Sequence, residues 1–277
     1  MSRIERALRK AEEERLRKLP EEPSQDDHKM SVLVTPEGLT ETPLEESKLT
    51  QHSEHFRKIA AKLKFCGENI RATDVAFTSA VSGEGKTTNA INCAISLCQD
   101  FNLSVCLVDC DLRNPSVSKY FRSNGSPGMV EVLKGETDIG SVIQSSPVKG
   151  LSIVHTHKVG KQSLSLFNSD RLRRVVQDLR ERFDFVLFDT PPILPVADTV
   201  VLSRHVSSVV LIVESGKTRR KHIEQILEQI DKDKVIGFIM NYKTHRMPEM
   251  YNYSKYYHYG SEGSQNGQDQ NKGQTQG

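Results

Sequence analysis

The sequence has no tryptophan, only five cysteines, and no apolar stretch close to the length of a membrane span. A spanning helix needs roughly 18 or more consecutive apolar residues, and the amino-terminal residues contain no apolar signal region. The cysteines are odd in number and include no Cys-x-x-Cys pair, which argues against a disulfide framework and a zinc site. We therefore expect a cytoplasmic protein with reduced thiols and no membrane span.

Charge of one sign is not in excess either. The 38 basic and 36 acidic residues nearly balance, which leaves a formal net charge of +2. A strong positive field, typical of proteins that bind nucleic acid or anionic membranes, is absent. We expect no nucleic-acid partner.

Both ends of the chain are poor in apolar residues, which predicts one folded domain between two weakly structured ends. Residues 1–19 have apolar residues at helical spacing and predict a short amphipathic helix. Residues 20–52 contain four prolines among acidic and hydroxyl residues and predict an extended linker. The folded domain is expected at residues 53–245. Residues 246–277 hold a tyrosine cluster followed by a Gly, Gln, Ser and Asn tail that we expect to be disordered.

Helical and strand patterns alternate within the central domain. Strands are predicted at residues 74–79, 104–109, 151–155, 184–189, 208–213 and 235–240. Helices are predicted at residues 53–64, 86–100, 128–134, 168–181, 196–205 and 218–230. Strands that are apolar throughout, such as 208–213, are typical of a parallel sheet with helices on both faces. The fold class predicted is a doubly wound, mostly parallel α/β sheet of the phosphate-loop NTPase type.

The glycine-rich segment from Ala80 to Thr87 carries the clearest chemical signal. It lies between a predicted strand and a predicted helix, where backbone N–H groups and the helix N-terminus attract phosphate. Lys86 is expected to reach the β- and γ-phosphates of ATP, and Thr87 to bind magnesium. Ala80 stands where the usual pattern has its first glycine. We assign nucleotide binding to seven consecutive residues: Ser82, Gly83, Glu84, Gly85, Lys86, Thr87 and Thr88.

Three aspartates follow predicted strands. Asp109 and Asp111 come at the end of strand 104–109, and Asp189 ends strand 184–189. Because parallel strands end at one edge of the sheet, we expect these carboxylates beside the phosphate loop. One carboxylate of such a pair can hold magnesium while the other accepts a proton. In isolation, Asp-x-Asp also fits a turn or a helix cap, and a strand-end aspartate before prolines is common.

Five of the seven tyrosines lie within nine residues: Tyr251, Tyr253, Tyr256, Tyr257 and Tyr259. A packed core cannot easily satisfy so many phenol hydroxyls, so we interpret this segment as exposed hydroxyl nucleophiles. The alternative is an aromatic segment that stacks on RNA bases, helped by Lys255 and His258. The lack of a wider basic surface favours the first interpretation.

Two further patterns carry weaker signals. His155 and His157 lie two residues apart at a predicted strand end and could bind a metal, but solvent-exposed loop histidines are commoner. Arg219, Arg220 and Lys221 at a helix start are most simply a solvated surface.

Taken in order, these motifs resemble the bacterial protein-tyrosine kinases of polysaccharide synthesis and export. The resemblance covers residues 53–259 and rests on the phosphate loop, Asp109-x-Asp111-x-Arg113, the strand ending in Asp-Thr-Pro-Pro, and the tyrosine cluster. The segments Gly128–Gly135 and Gly216–Thr218 also look like that family. The opening residues Ser2–Leu8 look like its separate cytoplasmic autokinases of exopolysaccharide and exosortase loci.

The resemblance implies autophosphorylation of the tyrosine cluster, in trans between neighbours of a ring. It also implies a separate membrane-bound chain-length regulator as activator, which would recruit the protein to the inner face of the cell membrane. Carried over by position, Lys86 stabilises the transferring phosphate. Thr87, Asp111 and Asp189 hold magnesium, and Asp109 accepts the tyrosine proton. Phosphoryl transfer depends mostly on such positioning and charge stabilisation.

Several positions depart from the family pattern. Glu54 and Arg57 match its Glu-x-x-Arg-x-x-Arg oligomerisation motif, but Ala60 replaces the second arginine. Ser82 and Glu214 stand where many relatives have proline and arginine, and neither is expected to touch the chemistry.

Two other functions stay open. A positioning ATPase of the cell-division and plasmid-partition type shares the sheet and the loop, but it typically has a second lysine where this chain has Val81. A nucleotide-dependent scaffold of an export complex, with its tyrosines modified by another kinase, is the non-catalytic alternative.

Overall fold

The computed structural model describes residues 46–65, 73–121, 127–159, 162–167 and 170–241, with side chains in the first range from residue 54 onward. The predicted amino-terminal helix, residues 1–19, and the tyrosine cluster with its tail, residues 246–277, lie outside the described residues. These two assignments stay predictions.

Within the described residues, seven strands form one sheet. They are β1 Asp74–Ser79, β2 Val105–Asp109, β3 Ile143–Ser145, β4 Leu151–Val154, β5 Phe185–Asp189, β6 Ser208–Glu214 and β7 Val235–Asn241. The spatial order is β3-β4-β2-β5-β1-β6-β7. Only the short edge strand β3 runs antiparallel to its neighbour, and the other pairs are parallel.

Helices alternate with these strands along the chain. They are α1 Glu46–Phe65, α2 Lys86–Phe101, α3 Val117–Phe121, α4 Met129–Lys134, α5 Ile139–Val142, α6 Ser163–Phe167, α7 Asp170–Arg182, α8 Asp198–Ser203 and α9 Arg220–Gln229. A 3-10 turn at Lys232–Lys234 precedes β7. Within the described residues, no helix is long and apolar enough to cross a membrane.

The strand side chains alternate between two apolar cores, one on each face of the sheet. In β1, Val75 and Phe77 face a core shared with α1 and α2, whereas Ala76 faces a core shared with α7, α8 and α9. Both faces are therefore covered, and this explains why the strands are apolar throughout. The predicted doubly wound, mostly parallel sheet is confirmed.

Some boundaries differ from the prediction. Helix α1 begins at Glu46 rather than at residue 53, so residues 46–52, assigned to the linker, are helical. The physical reason is that the last of the four linker prolines is Pro43, and no proline interrupts the chain after it. Strand β3 and the short helices α3, α5 and α6 were not predicted, because segments of three to five residues show too little periodicity.

Candidate functional site

The phosphate loop and the three aspartates meet at the carboxyl edge of the sheet. Strands β2, β5 and β1 are neighbours there, and Asp189 pairs in register with Asp109 on one side and Phe77 on the other. The loop follows β1, and α2 begins at Lys86. β1 connects toward β2 on one side of the sheet, and β6 connects toward β7 on the other side. Ligands of open α/β sheets bind at the carboxyl edge where the direction of the connections reverses in this way.

The backbone of the loop requires glycine at two positions. Gly83 has φ 82° and Gly85 has φ 90°, in the left-handed region. A side chain at Gly85 would also collide with the Asn241 amide, which lies against the loop from the end of β7. At the other end of the turn, Asn89 N–H donates to the Gly85 carbonyl (3.0 Å) and starts the helical bonding of α2. The loop therefore delivers its backbone to the N-terminus of a sixteen-residue helix.

Glu84 is fully buried and links the two ends of its own hydrogen-bond network, Val81 in the loop and Thr218 after β6. Its Oε2 accepts a hydrogen bond from Val81 N (2.9 Å), and its Oε1 accepts one from the Thr218 hydroxyl. The sequence analysis assigned Glu84 to nucleotide binding. Its carboxylate accepts hydrogen bonds from the protein's own donors, and the assignment of Glu84 to nucleotide binding stays a prediction.

Lys86, Thr87 and Thr88 form the first turn of α2. Lys86 is buried. Burial raises the pKa values of Asp111 and Asp189, and the charge of Lys86 partly opposes this rise. The Thr87 hydroxyl donates to Asp189 Oδ2 (2.6 Å). The Thr88 hydroxyl is 3.3 Å from the hydroxyl of Tyr120. Lysine and threonine thus stand beside the carboxylates, as the sequence predicted.

Among the described residues, one oxygen of Asp189 has no hydrogen-bond partner. Its Oδ1 is buried and accepts no hydrogen bond, whereas Oδ2 accepts from Thr87. Burial raises the pKa of Asp189 to about 7, partly opposed by the Thr87 hydrogen bond and the charge of Lys86. A buried carboxylate oxygen with no donor is costly unless a cation binds it.

Asp109 is 0% exposed and anchors the loop that follows β2. Its Oδ1 accepts from Asp111 N (3.1 Å), and its Oδ2 accepts from Ser116 N (3.1 Å) and Val117 N (3.0 Å). Burial, followed by the charge of Asp189, raises the pKa of Asp109 well above its ordinary value. A tyrosine hydroxyl could reach this carboxylate only if the loop moved, and its role as proton acceptor stays a prediction.

Asp111 is the more open member of the pair, at 8% exposed. Its Oδ1 accepts from Asn114 N (2.9 Å), and burial raises its pKa. Nearby, Arg113 Nε donates to Asp198 Oδ2 (2.8 Å), so the Asp-x-Asp-x-Arg segment is tied to the first turn of α8.

These residues fit a nucleotide with magnesium. Asp189, Asp111 and Thr87 offer the oxygen ligands that magnesium prefers, and the free Oδ1 of Asp189 is a ready ligand position. Within the described residues, no group of three or more His, Cys, Asp or Glu side chains forms a complete protein metal site. Magnesium is usually held by one or two carboxylates together with substrate phosphates, so the donor set agrees with that ion.

Comparisons with known proteins agree with this geometry. The AAA domain family model matches residues 72–236. The tyrosine-protein kinase YwqD of Bacillus subtilis (strain 168) is 32% identical over 212 residues, which cover 76% of this chain and 87% of YwqD. The chain belongs to the bacterial tyrosine-protein kinase family. A second relative, the tyrosine-protein kinase CpsD of Streptococcus agalactiae, is 29% identical over 206 residues, which cover 73% of this chain and 88% of CpsD.

Solved structures support the same family. The kinase domain of the Escherichia coli tyrosine kinase ETK aligns with a TM-score of 0.65 and 26% identity, covering 73% of this chain and 80% of that one. The cell-division ATPase MinD of Pyrococcus furiosus aligns with a TM-score of 0.54 and 21% identity, covering 61% and 72%. That second likeness shows a shared fold. The chain is therefore a tyrosine-kinase-type nucleotide-binding enzyme.

Two departures from the family pattern come together in this kinase. Lys217 Nζ donates to the Ser82 carbonyl (3.0 Å) and lies 3.3 Å from Glu214 Oε2. Ser82 and Glu214 are therefore linked through Lys217, and the expectation that neither touches the chemistry stays a prediction. The two positions are far apart in sequence, and only the parallel order β5-β1-β6 brings the end of β6 beside the loop.

The histidines also differ from expectation. His155 is 2% exposed, and burial lowers its pKa to about 4, so it is not a solvent-exposed loop histidine. The reason is that the segment after β4 lies against the start of α4, where Met129 N–H donates to the His155 carbonyl (2.8 Å). His157 Nδ1 lies 3.4 Å from Glu131 Oε1. The Arg219–Lys221 segment is exposed, as predicted.

The partial oligomerisation motif has partners within the chain. Arg57 bonds Glu54 (2.8 Å) and Asp100 of α2 (3.0 Å). Ala60 is fully buried between α1 and α2, where a methyl group fits and a long charged side chain would not. Whether Glu54 and Arg57 serve ring assembly stays a prediction.

Sequence reasoning missed three residues of the site. The Ser116 hydroxyl is 2.9 Å from the Thr87 hydroxyl, Tyr120 contacts Thr88, and Asn241 Nδ2 donates to the Glu84 carbonyl (2.9 Å). For Asn241 a signal existed, since it directly follows the last predicted strand, residues 235–240, at the same edge of the sheet. Ser116 and Tyr120 carry no motif and became apparent only in three dimensions.

Proposed function

We propose that this kinase phosphorylates itself by transferring the γ-phosphate of ATP to the tyrosines between residues 251 and 259 of the same protein. The observation that carries the proposal is the position of Asn241. It is the last residue of β7, and its side chain donates to the phosphate loop. Tyr251 follows ten residues later, a length that spans at most about 33–36 Å when extended. This short separation along the chain from a residue that contacts the phosphate loop supports the proposal.

The chain's own residues would divide the work as follows. The loop amides and Lys86 bind the phosphates and stabilise the charge that develops on the transferring group. Thr87, Asp111 and Asp189 would hold magnesium, which neutralises phosphate charge when bound. Asp109 fixes the loop that carries Asp111, and acceptance of the tyrosine proton by Asp109 requires that this loop open. Lys86 and the metal ligands therefore carry more of the catalysis than the base.

The partners belong to the same proposal. Transfer in trans requires a second copy of the chain, so we propose a homo-oligomer, with a separate membrane-bound polysaccharide chain-length regulator as activator. That regulator would recruit a cytoplasmic kinase to the inner face of the membrane and link it to exopolysaccharide synthesis and export. The ten-residue separation of Tyr251 from Asn241 allows transfer within one chain or to a neighbouring copy, because a segment of this length can reach beyond its own site.

The test compares wild type with Lys86→Met, both made in a host without tyrosine kinases and assayed with the activating partner if one is required. Intact mass and phosphotyrosine blotting should show phosphate on wild type, mapped to residues 251–259, and none on Lys86→Met. Lys221→Met is the matched control, because Lys221 is an exposed lysine on α9, and it should behave as wild type. Equal phosphotyrosine in wild type and Lys86→Met would refute the autokinase proposal. Rapid ATP hydrolysis without protein phosphorylation would favour a positioning ATPase, and phosphorylation only by another kinase would favour a scaffold.

A further inference from the structure

The tip of the phosphate loop is supported from outside by the residues that follow β6. Lys217 Nζ donates to the Ser82 carbonyl (3.0 Å) and would lie 3.4 Å from a Cβ at Gly83. The adjacent Thr218 hydroxyl donates to Glu84 and accepts from Glu214 N–H (2.9 Å). Two consecutive side chains therefore contact two different residues of the loop.

Lys217 contacts the phosphate loop at its exposed tip. Ser82 and Gly83 are the exposed tip of the loop, whereas Glu84 and Lys86 are buried. For the loop amides to face phosphate, the peptide carbonyls must face outward, where they need donors. Lys217 supplies a charged donor to one such carbonyl and adds positive charge within a few ångströms of the loop.

Glu214 sets the position of Lys217. Its side chain is only 10% exposed, at the end of β6, and its Oε2 lies 3.3 Å from Lys217 Nζ. The lysine side chain is 40% exposed, so without a fixed partner it would sample many rotamers in water. The carboxylate therefore reduces the freedom of the lysine and directs its ammonium group toward Ser82.

We propose that Lys217 is a positioning residue for nucleotide binding, held by Glu214 and acting through the Ser82 carbonyl on the tip of the phosphate loop. The proposal rests on the proposed nucleotide site. It assigns this chain a loop-supporting lysine from the turn after β6, whereas the second loop position is Val81. Lys217 does not need to touch the nucleotide, because its effect is to keep the loop amides in the orientation that binds phosphate.

The test measures binding of fluorescent Mg-ADP and of a non-hydrolysable ATP analogue to the full chain. We expect Lys217→Met to weaken binding about tenfold, which corresponds to roughly 1.4 kcal/mol, with a thermal midpoint like that of wild type. Lys217→Arg keeps a charged donor and should stay within about threefold of wild type. Amide hydrogen exchange at residues 82–85 should be faster in Lys217→Met, and Lys221→Met should match wild type in both measurements.

A double-mutant cycle tests the link to Glu214. If Glu214 acts through Lys217, Glu214→Gln weakens binding in wild type but adds nothing to Lys217→Met. Unchanged binding in Lys217→Met, or full additivity of the two substitutions, would overturn the proposal. Failure of wild type to bind nucleotide would overturn both this inference and the proposed function. Normal binding without tyrosine phosphorylation would overturn the proposed function alone.

Discussion

Asp109 gives the sharpest test of how the site is built, because its two candidate roles predict different results for one substitution. The carboxylate accepts three backbone N–H groups, from Asp111, Ser116 and Val117, and is fully buried. Asparagine has the same shape but only one acceptor oxygen, so Asp109→Asn leaves at least one of these donors facing an NH₂ group. A buried donor without an acceptor costs about 1–3 kcal/mol.

Removal of the charge acts in the opposite direction. Asp109 lies beside Asp189, and both burial and that neighbouring charge raise the pKa of Asp109, so the negative charge itself is unfavourable there. We expect a net loss of about 2 kcal/mol in the free energy of unfolding for Asp109→Asn. For a domain of this size, that corresponds to a thermal midpoint lower by roughly 4–8 °C. Urea denaturation and thermal melting would measure the loss.

Asp111→Asn is the matched control. Asp111 Oδ1 accepts a hydrogen bond from Asn114 N–H, and an asparagine keeps that bond. Its free energy of unfolding should change by less than about 1 kcal/mol, while phosphoryl transfer falls. An Asp109→Asn variant with the stability of wild type but a rate lower by about 10²–10⁴ would refute the anchoring role and support Asp109 as the base.

Two further predictions concern residues outside the site. Asp74, at the amino end of β1, accepts from Arg180 Nε (2.6 Å) and Nη2 (2.9 Å) and from Ser207 N and Oγ (both 2.7 Å). Asp74→Ala should cost about 3 kcal/mol in chemical denaturation, since it removes the carboxylate partner of Arg180 and the acceptor of the Ser207 N–H, and Mg-ADP affinity should not change. Burial lowers the pKa of His155 to about 4, below the value of about 6.5 expected in the unfolded chain. Above pH 6.5 both states are neutral. As the pH falls from about 6.5 to about 4, the unfolded chain binds the proton first and stability drops by up to about 3 kcal/mol. His155→Gln should remove this part of the pH dependence, and identical slopes for the two proteins would contradict it.

The sequence predicted the features that depend on local pattern. The apolar strands, the loop from Ala80 to Thr87 and the strand-end aspartates are continuous segments, and parallel topology then determines which ends meet. Asp109 and Asp189 are 80 residues apart in sequence, yet they pair in register on β2 and β5. Their meeting was predictable because consecutive βα units place every carboxyl strand end at one edge.

The contacts that shape the site were not predictable in the same way. Lys217, in the turn after β6, and Asn241, at the end of β7, reach the loop across 135 and 157 residues of sequence, through side-chain rotamers that no periodicity encodes. The burial of His155 depends on where the chain returns after α4, which is likewise a tertiary feature. The contact between Glu214 and Lys217 is likewise a side-chain feature that the resemblance to the family did not predict.

The two ends of β1 show why Asp189 is better assigned to chemistry than to folding. Asp74 begins β1, Asp189 ends the neighbouring strand β5, and both carboxylates are buried. At the amino edge, both oxygens of Asp74 have donors, and the guanidinium of Arg180 compensates the charge. At the carboxyl edge, Asp189 has one hydroxyl donor and one buried oxygen with none.

A carboxylate that served the fold alone would gain stability from a second donor, as Asp74 does. The unpaired oxygen of Asp189 is therefore a cost to the isolated chain that a bound cation would offset. Strain and unsatisfied groups are expected at functional sites, and within the described residues this edge combines such an oxygen with a phosphate loop. The same contrast explains why substitutions at Asp74 should lower stability and leave nucleotide binding intact. Substitutions at Asp189 should instead weaken nucleotide binding and leave stability intact.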